Sequence, residues 1–278
     1  MNEKSTQEER LAYLVEAFKE DSEQYKNIKT PDDRSGKQRI LRSLMNIRPP
    51  RKMPERVLKV QDTYLKARAE EMGAVGLDDI QTVRDSLRSL HQHADVISVW
   101  QGDITRLAVD AIVNAANSQM LGCFIPMHTC IDNCIHTFAG VQLRAECARN
   151  MQRLRLLHGD DYEQPTALPM LTDAYNLPAK KVIHIVGPIV DGPLMPQHEW
   201  ALSDCYRNTL DMCFENSLKS VAFCCISTGV FHFPNKRAAQ IAVQTVTDWL
   251  TEHPDAMDRV IFNVFKDEDR KYYEQLLR

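Results

Sequence analysis

Hydrophobic positions in the first third of the chain recur at helical spacing. Leu11, Leu14, Val15 and Phe18 fall three, four and seven apart within Glu8 to Lys19, which predicts a helix with one apolar face. Gly36 to Ile47 repeats the pattern through Ile40, Leu41, Leu44 and Ile47, and the Pro49-Pro50 pair closes it. Val57 to Ala69 reads as a third segment, helical or extended, and Gly73 and Gly76 mark a loop. From about residue 93 the pattern changes to short apolar runs alternating with amphipathic ones. Val96–Trp100, Ala111–Ala116, Leu168–Leu171, Val182–Val186, Val221–Ile226 and Arg259–Phe265 predict strands. Ile135–Met151, Glu199–Ser217, Ala238–Leu250 and Glu268–Leu276 predict helices. Ala111–Ala116 is apolar on both faces, as parallel strands covered by helices are. The alternation predicts an α/β class, a mixed or parallel sheet with helices on both sides. It divides the chain into a helical N-terminal extension, 1–92, and an α/β domain, 93–278.

Composition narrows the picture. The 278 residues are 44% apolar, enough for one large domain or a medium domain with a smaller one. The net charge of −4, without clustered Lys and Arg, argues against a nucleic-acid binder. No run of about 18 apolar residues reads as a membrane span. The charged Met1-Asn2-Glu3-Lys4 leads into an amphipathic segment, unlike a secretion signal. The eight cysteines are therefore expected to be reduced thiols of a cytoplasmic protein.

The densest chemistry lies in Gly122 to Asn133, after the apolar run 111–116 and before a helix. Such a βα turn is where α/β folds bind ligands. Cys123, His128 and Cys130 have the spacing C-x4-H-x-C. Thiolate and imidazole are preferred zinc ligands, and three of them leave a fourth tetrahedral position open, as catalytic zinc requires. Cys134 and His136 are further donors nearby. From spacing alone, buried cysteines beside a chance histidine remain an alternative.

Gly102-Asp103-Ile104-Thr105, Val109 to Asn117, Ile135-His136, Ala139-Gly140, Ala174 to Pro178, Val182-Ile183-His184 and Ile226 to Phe231 occur in an order that resembles the ADP-ribose-binding macrodomain family over residues 95–278. The resemblance implies a three-layer α/β/α macrodomain with a mixed central sheet, plus the helical N-terminal extension. In place of the usual glycine-rich loop stands the longer Gly122–Asn133 stretch. That departure resembles the zinc-dependent macrodomain branch, whose bacterial members are associated with sirtuin-type ADP-ribosyltransferases and lipoyl-carrier proteins and carry such an extension. The resemblance implies a hydrolase with one Zn²⁺ per chain, held by Cys123, His128 and Cys130. It would remove mono-ADP-ribose from modified proteins, with acidic side chains the expected attachment point. The implied partners are ADP-ribose, an ADP-ribosylated protein such as a lipoyl-carrier protein, and a sirtuin-type transferase. A non-catalytic ADP-ribose reader with a structural zinc is the alternative, and a redox module using the clustered thiols is a third.

Site roles follow residue by residue. Asp103 would accept from the adenine amine while the Ile104 N–H faces a ring nitrogen; otherwise Asp103 is a turn cap. Phe265 would stack on adenine or else fill the core. Asn117 would bind the distal ribose hydroxyls or cap a loop. Ser227, Thr228, Gly229, Val230 and Phe231 would cradle the diphosphate through backbone N–H groups, Phe231 covering it, or form a plain turn. Asp132, read as preceding a helix that starts near Asn133, would orient the reacting ribose or assist proton transfer, or cap that helix. Asp132 and Asn117 are the expected catalytic pair, and His136 has a structural role.

Overall fold

The computed structural model describes residues 5–278, so the charged N-terminal tetrapeptide lies outside the described residues. Its helices are α1 (Gln7–Glu20), α2 (Arg34–Ile47), α3 (Glu55–Met72), α4 (Val83–Leu87), α5 (Ile131–Ala139), α6 (Val141–His158), α7 (Pro196–Glu215), α8 (Asn235–Glu252) and α9 (Asp267–Leu276). Its strands are β1 (Val75–Gly76), β2 (Ile97–Gln101), β3 (Leu107–Ala108), β4 (Ala111–Ala116), β5 (Met170–Asp173), β6 (Lys181–Val186), β7 (Ser220–Phe223) and β8 (Arg259–Val264). Contacts group the chain into two compact units interleaved in sequence.

The first unit holds the described residues up to Gly73, Leu121–Tyr162 and Ala174–Leu177. Thr6 starts α1 with a capping box: its hydroxyl accepts from the Glu9 N–H, and the Glu9 carboxylate accepts from the Thr6 N–H. Asp33 caps α2 through the Gly36 N–H at 2.7 Å. The apolar faces of α1, α2 and α3 bury Leu11, Leu14, Phe18, Leu41, Leu44 and Tyr64 in one core, with Val141 of α6 packed against it. The third N-terminal segment is thus a helix. The expected single helix over Ile135–Met151 is instead two, α5 and α6. Gly140 breaks it at φ 97°, where a Cβ would stand 2.6 Å from Gln61 Nε2. α5 also begins two residues before Asn133, because Cys130 occupies its N-cap.

The second unit comprises Ala74–Met120, Glu163–Asp173 and Pro178–Arg278. Its sheet runs β2-β8-β7-β4-β6-β5, with every neighbouring pair parallel except the edge pair β5-β6. β4 and β6 are buried along nearly their whole length, as their two-sided apolar sequences require. Polar residues also sit inside this layer. Asn114 pairs with His184 in register, Nδ2 to Nδ1 at 3.0 Å, and Thr172 Oγ1 meets His184 Nε2 at 3.0 Å. Burial pushes the His184 pKa down to about 3, so the ring is neutral. α7 packs against β6, α9 against β2 and β8, and α8 lies against both helices. The expected α/β fold with a mixed central sheet and N-terminal helices is therefore the one the chain adopts.

Candidate active site and metal loop

In the first unit, the loop leading into α5 brings three of the expected donors together. Cys123, His128 and Cys130 each offer one ligand atom within 4.8 Å of the others, and Cys123 Sγ is 3.6 Å from His128 Nδ1. Two donors on a tetrahedral zinc, with bonds of about 2.3 Å to sulfur and about 2.0 Å to nitrogen, stand about 3.6 Å apart. The residues fit the ion. Cys130 carries a second task, since its Sγ accepts from the Asn133 N–H at 3.4 Å and starts α5. A helix N-terminus favours thiolate. Burial, with the negative charges of Cys123 and Asp132, outweighs that donor and pushes the Cys130 thiol up to about 12. A divalent cation reverses this balance, because it deprotonates the thiols it coordinates.

Asp132 is 5% exposed and lies in the first turn of α5, not ahead of it. The cap position belongs to Cys130. Asp132 Oδ1 is 3.6 Å from His136 Nε2, one turn on. Gly122, at φ 79°, lets the His136 ring approach so closely that a Cβ there would be 2.7 Å from it. Arg144 threads this unit. Its Nε donates to the Leu121 carbonyl at 2.7 Å, and its carbon sits 4.2 Å from the Phe124 ring centroid. Burial lowers the Arg144 pKa to about 10, opposed by the charges of Asp132 and Cys123.

The second unit holds the remaining expected residues. Asp103 caps the 3-10 turn 104–106: Oδ1 accepts from Thr105 N at 3.0 Å and Thr105 Oγ1 at 2.6 Å. Ile104, buried, opens that turn, where helical N–H groups have no intrahelical partner. Asn117 leaves β4 and accepts through Oδ1 from the Gln119 N–H at 3.1 Å. Phe265 is 77% exposed, which removes the core-filling alternative for it.

The 227–231 segment is more than a plain turn. Its backbone bonds use the N–H groups of Thr228, His232 and Phe233. Among the described residues, those of Gly229, Val230 and Phe231 donate to no backbone carbonyl. Ser227 sits at φ 63° with its Oγ buried and without a hydrogen-bond partner. Three consecutive amides beside a buried orphan hydroxyl have the donor chemistry an anion cradle needs, without a basic side chain. Gly187 lies against it: a Cβ there would fall 2.1 Å from Ser227 Oγ. Sequence reasoning missed Gly187, whose signal was only the Gly187-Pro188 pair after β6. It also missed Arg42, Asn46, Asn133 and Arg144, which carried no local signal.

Comparisons with known proteins identify the class and then the family. The Macro domain family model matches residues 113–242. A Trypanosoma brucei macrodomain, solved in complex with ADP-ribose, superposes with a TM-score of 0.62 at 29% identity, over 85% of this chain and 95% of that one. A Treponema medium protein-ADP-ribose hydrolase is 46% identical over 98% of this chain and 99% of its own length. A Staphylococcus aureus protein of the same name is 39% identical over 96% of this chain and 95% of its own. The chain belongs to the macro domain protein-ADP-ribose hydrolase family.

Proposed function

We propose that this protein is a zinc-dependent hydrolase that removes mono-ADP-ribose from modified proteins. One observation carries the metal half of the reading: two thiols and an imidazole within 4.8 Å of one another on a single loop, with Cys123 Sγ and His128 Nδ1 at the 3.6 Å that two ligands of a tetrahedral zinc keep. The similarity over nearly the full length to hydrolases of that name supports the reaction. Bound zinc supplies Lewis acidity and lowers the pKa of a coordinated water. The chain's own residues do the rest. Asp103 accepts from the adenine amine through its carboxylate, the Ile104 N–H meets a ring nitrogen, and Phe265 stacks on the base. The N–H groups from Gly229 to Phe231 hold the diphosphate, with Ser227 and Thr228 shaping the turn and Phe231 covering it. Asn117 binds the distal ribose hydroxyls, and Asp132 orients that sugar or accepts a proton during hydrolysis.

The proposal extends to partners and layout. Residues 1–92 are the extension and 93–278 the macro module of a cytoplasmic protein. It reverses the work of a sirtuin-type transferase on acidic side chains, with a lipoyl-carrier protein as the substrate to try first. The test measures zinc content together with ADP-ribose release from an auto-modified transferase, with and without a strong chelator. About one zinc per chain and chelator-sensitive release is expected. Zinc with binding but no release supports the reader instead, and full release from zinc-free protein refutes the metal's part.

A further inference from the structure

The loop that carries the three donors has no regular structure of its own between Leu121 and Cys130. Its tip is exposed at Phe124, Ile125 and Met127, so burial of the tip does not hold it. Polar side chains do, and two of them come from α2, within the same compact unit. Arg42 Nη2 donates to the His128 carbonyl at 2.6 Å and to Asn133 Oδ1 at 3.0 Å. Asn46, one turn further along α2 and buried, accepts through Oδ1 from the Met127 N–H at 3.0 Å. Its Nδ2 donates to Thr137 Oγ1 at 2.8 Å. The backbone of residues 127 and 128 is thus gripped at both ends by one face of α2. Asn133 completes the frame by donating to the carbonyls of Cys123 at 3.3 Å and Ile125 at 2.9 Å. Arg144 then ties α2 down, donating to the carbonyls of Asn46 and Arg48 at 2.8 and 2.6 Å.

We propose that α2 of the N-terminal extension is the template of the metal loop. Arg42 and Asn46 are positioning residues that hold the His128 imidazole at metal-binding separation from Cys123. The inference rests on the zinc reading above. It gives the extension a chemical purpose: a loop bearing three donors must be preorganised, or the ion has to order it at the expense of affinity. Partners of this kind change metal affinity by about 10–100-fold when removed.

The experiment uses the full chain with Zn²⁺ itself, titrated against a chromophoric chelator, and the absorption spectrum of the Co²⁺-substituted protein. Arg42→Ala and Asn46→Ala are each expected to weaken zinc binding by about 10–100-fold and to alter the cobalt bands. Arg42 makes these bonds through Nη2 alone, so Arg42→Lys, which keeps a cation and several N–H donors on one nitrogen, is expected to recover part of the loss. Arg39→Ala, on an exposed position of α2, is expected to bind zinc as the wild type does. Should an alanine variant fail to fold, Arg42→Lys decides. Wild-type zinc affinity and unchanged cobalt bands in the Arg42 and Asn46 variants overturn the template while leaving the metal reading intact. A wild-type protein that binds no zinc overturns both.

Discussion

Gly187→Ala tests the proposed anion cradle without replacing any residue of the 227–231 segment. The Gly187 backbone is one that any residue can adopt, so the strain is purely steric. The added Cβ would lie 2.1 Å from Ser227 Oγ and 2.8 Å from Ile226 Cγ2. Relief needs a displacement of roughly 1 Å, of the kind that costs about 1–3 kcal/mol in a packed interior. Ser227 already sits at φ 63° and is buried, so its hydroxyl has little room to turn away. The shift passes into Gly229–Phe231, whose N–H groups are the proposed diphosphate donors. Misaligning one charge-assisted bond costs about 1.5–3 kcal/mol, so ADP-ribose affinity is expected to fall at least about tenfold. Isothermal titration of free ADP-ribose measures it, with thermal melting as the check on folding. Adding Ser227→Ala to Gly187→Ala removes the closest contact and should restore much of the affinity, a coupling the double cycle isolates. Wild-type affinity in a folded Gly187→Ala protein would mean that this loop does not hold the diphosphate.

The other expectations concern single residues. Cys123→Ser should abolish zinc retention and release of ADP-ribose from modified protein; release at the wild-type rate from the zinc-free variant would refute metal dependence. Phe265→Ala should leave the melting temperature nearly unchanged, because the side chain is 77% exposed. It should weaken ADP-ribose binding by about 1 kcal/mol or more, roughly fivefold, and an unchanged dissociation constant would remove Phe265 from the adenine site. His184, whose pKa burial pushes down to about 3, stays neutral in the fold while the unfolded chain protonates it near pH 6.5. Its contribution is present above pH 6.5 and is lost as pH falls from there towards 3. Between pH 7 and 4.5 the loss is about 2.5 kcal/mol. Urea titrations across that range should show this extra loss in wild type relative to His184→Gln, and parallel curves would contradict it.

How far the fold was legible depends on how local its signals are. α1, α2, β2 and the strands from β4 to β8 announce themselves by apolar period, and their ends differ from expectation by a few residues, whereas the two-residue strands β1 and β3 are too short to carry a period. The α5–α6 break did not announce itself. Ala139-Gly140 stands in a run of helical character, and one glycine inside such a run is usually tolerated. What makes Gly140 a break is tertiary, since Gln61 and Asn176 approach where a side chain would stand. The early start of α5 was hidden for a different reason. Cysteine is not among the residues that sequence reading takes as caps, and Asp132 looked like a better one. Cys130 fills that position, so a single sulfur both starts the helix and faces the other two donors.

The site divides along the same line. Cys123, His128 and Cys130 were legible because eight residues contain them all, and the 227–231 cradle because glycine and small residues follow a strand. The residues that shape the donor loop were not. Arg42 reaches carbonyl and amide groups 86 and 91 positions away, and Asn46 a hydroxyl 91 away. In the sequence both fall on the polar side of an amphipathic helix, where solvation is the default reading. Asn46 is nonetheless 1% exposed, with both ends of its amide bonded. A buried amide with matched partners costs little, whereas removing it strands the Met127 N–H and takes one of its partners from the Thr137 hydroxyl, which keeps its bond to the Asn133 carbonyl. The polar face of α2 therefore does not end at solvent. It supplies hydrogen bonds that an irregular loop cannot make for itself, which is why the donor geometry depends on residues so distant in sequence.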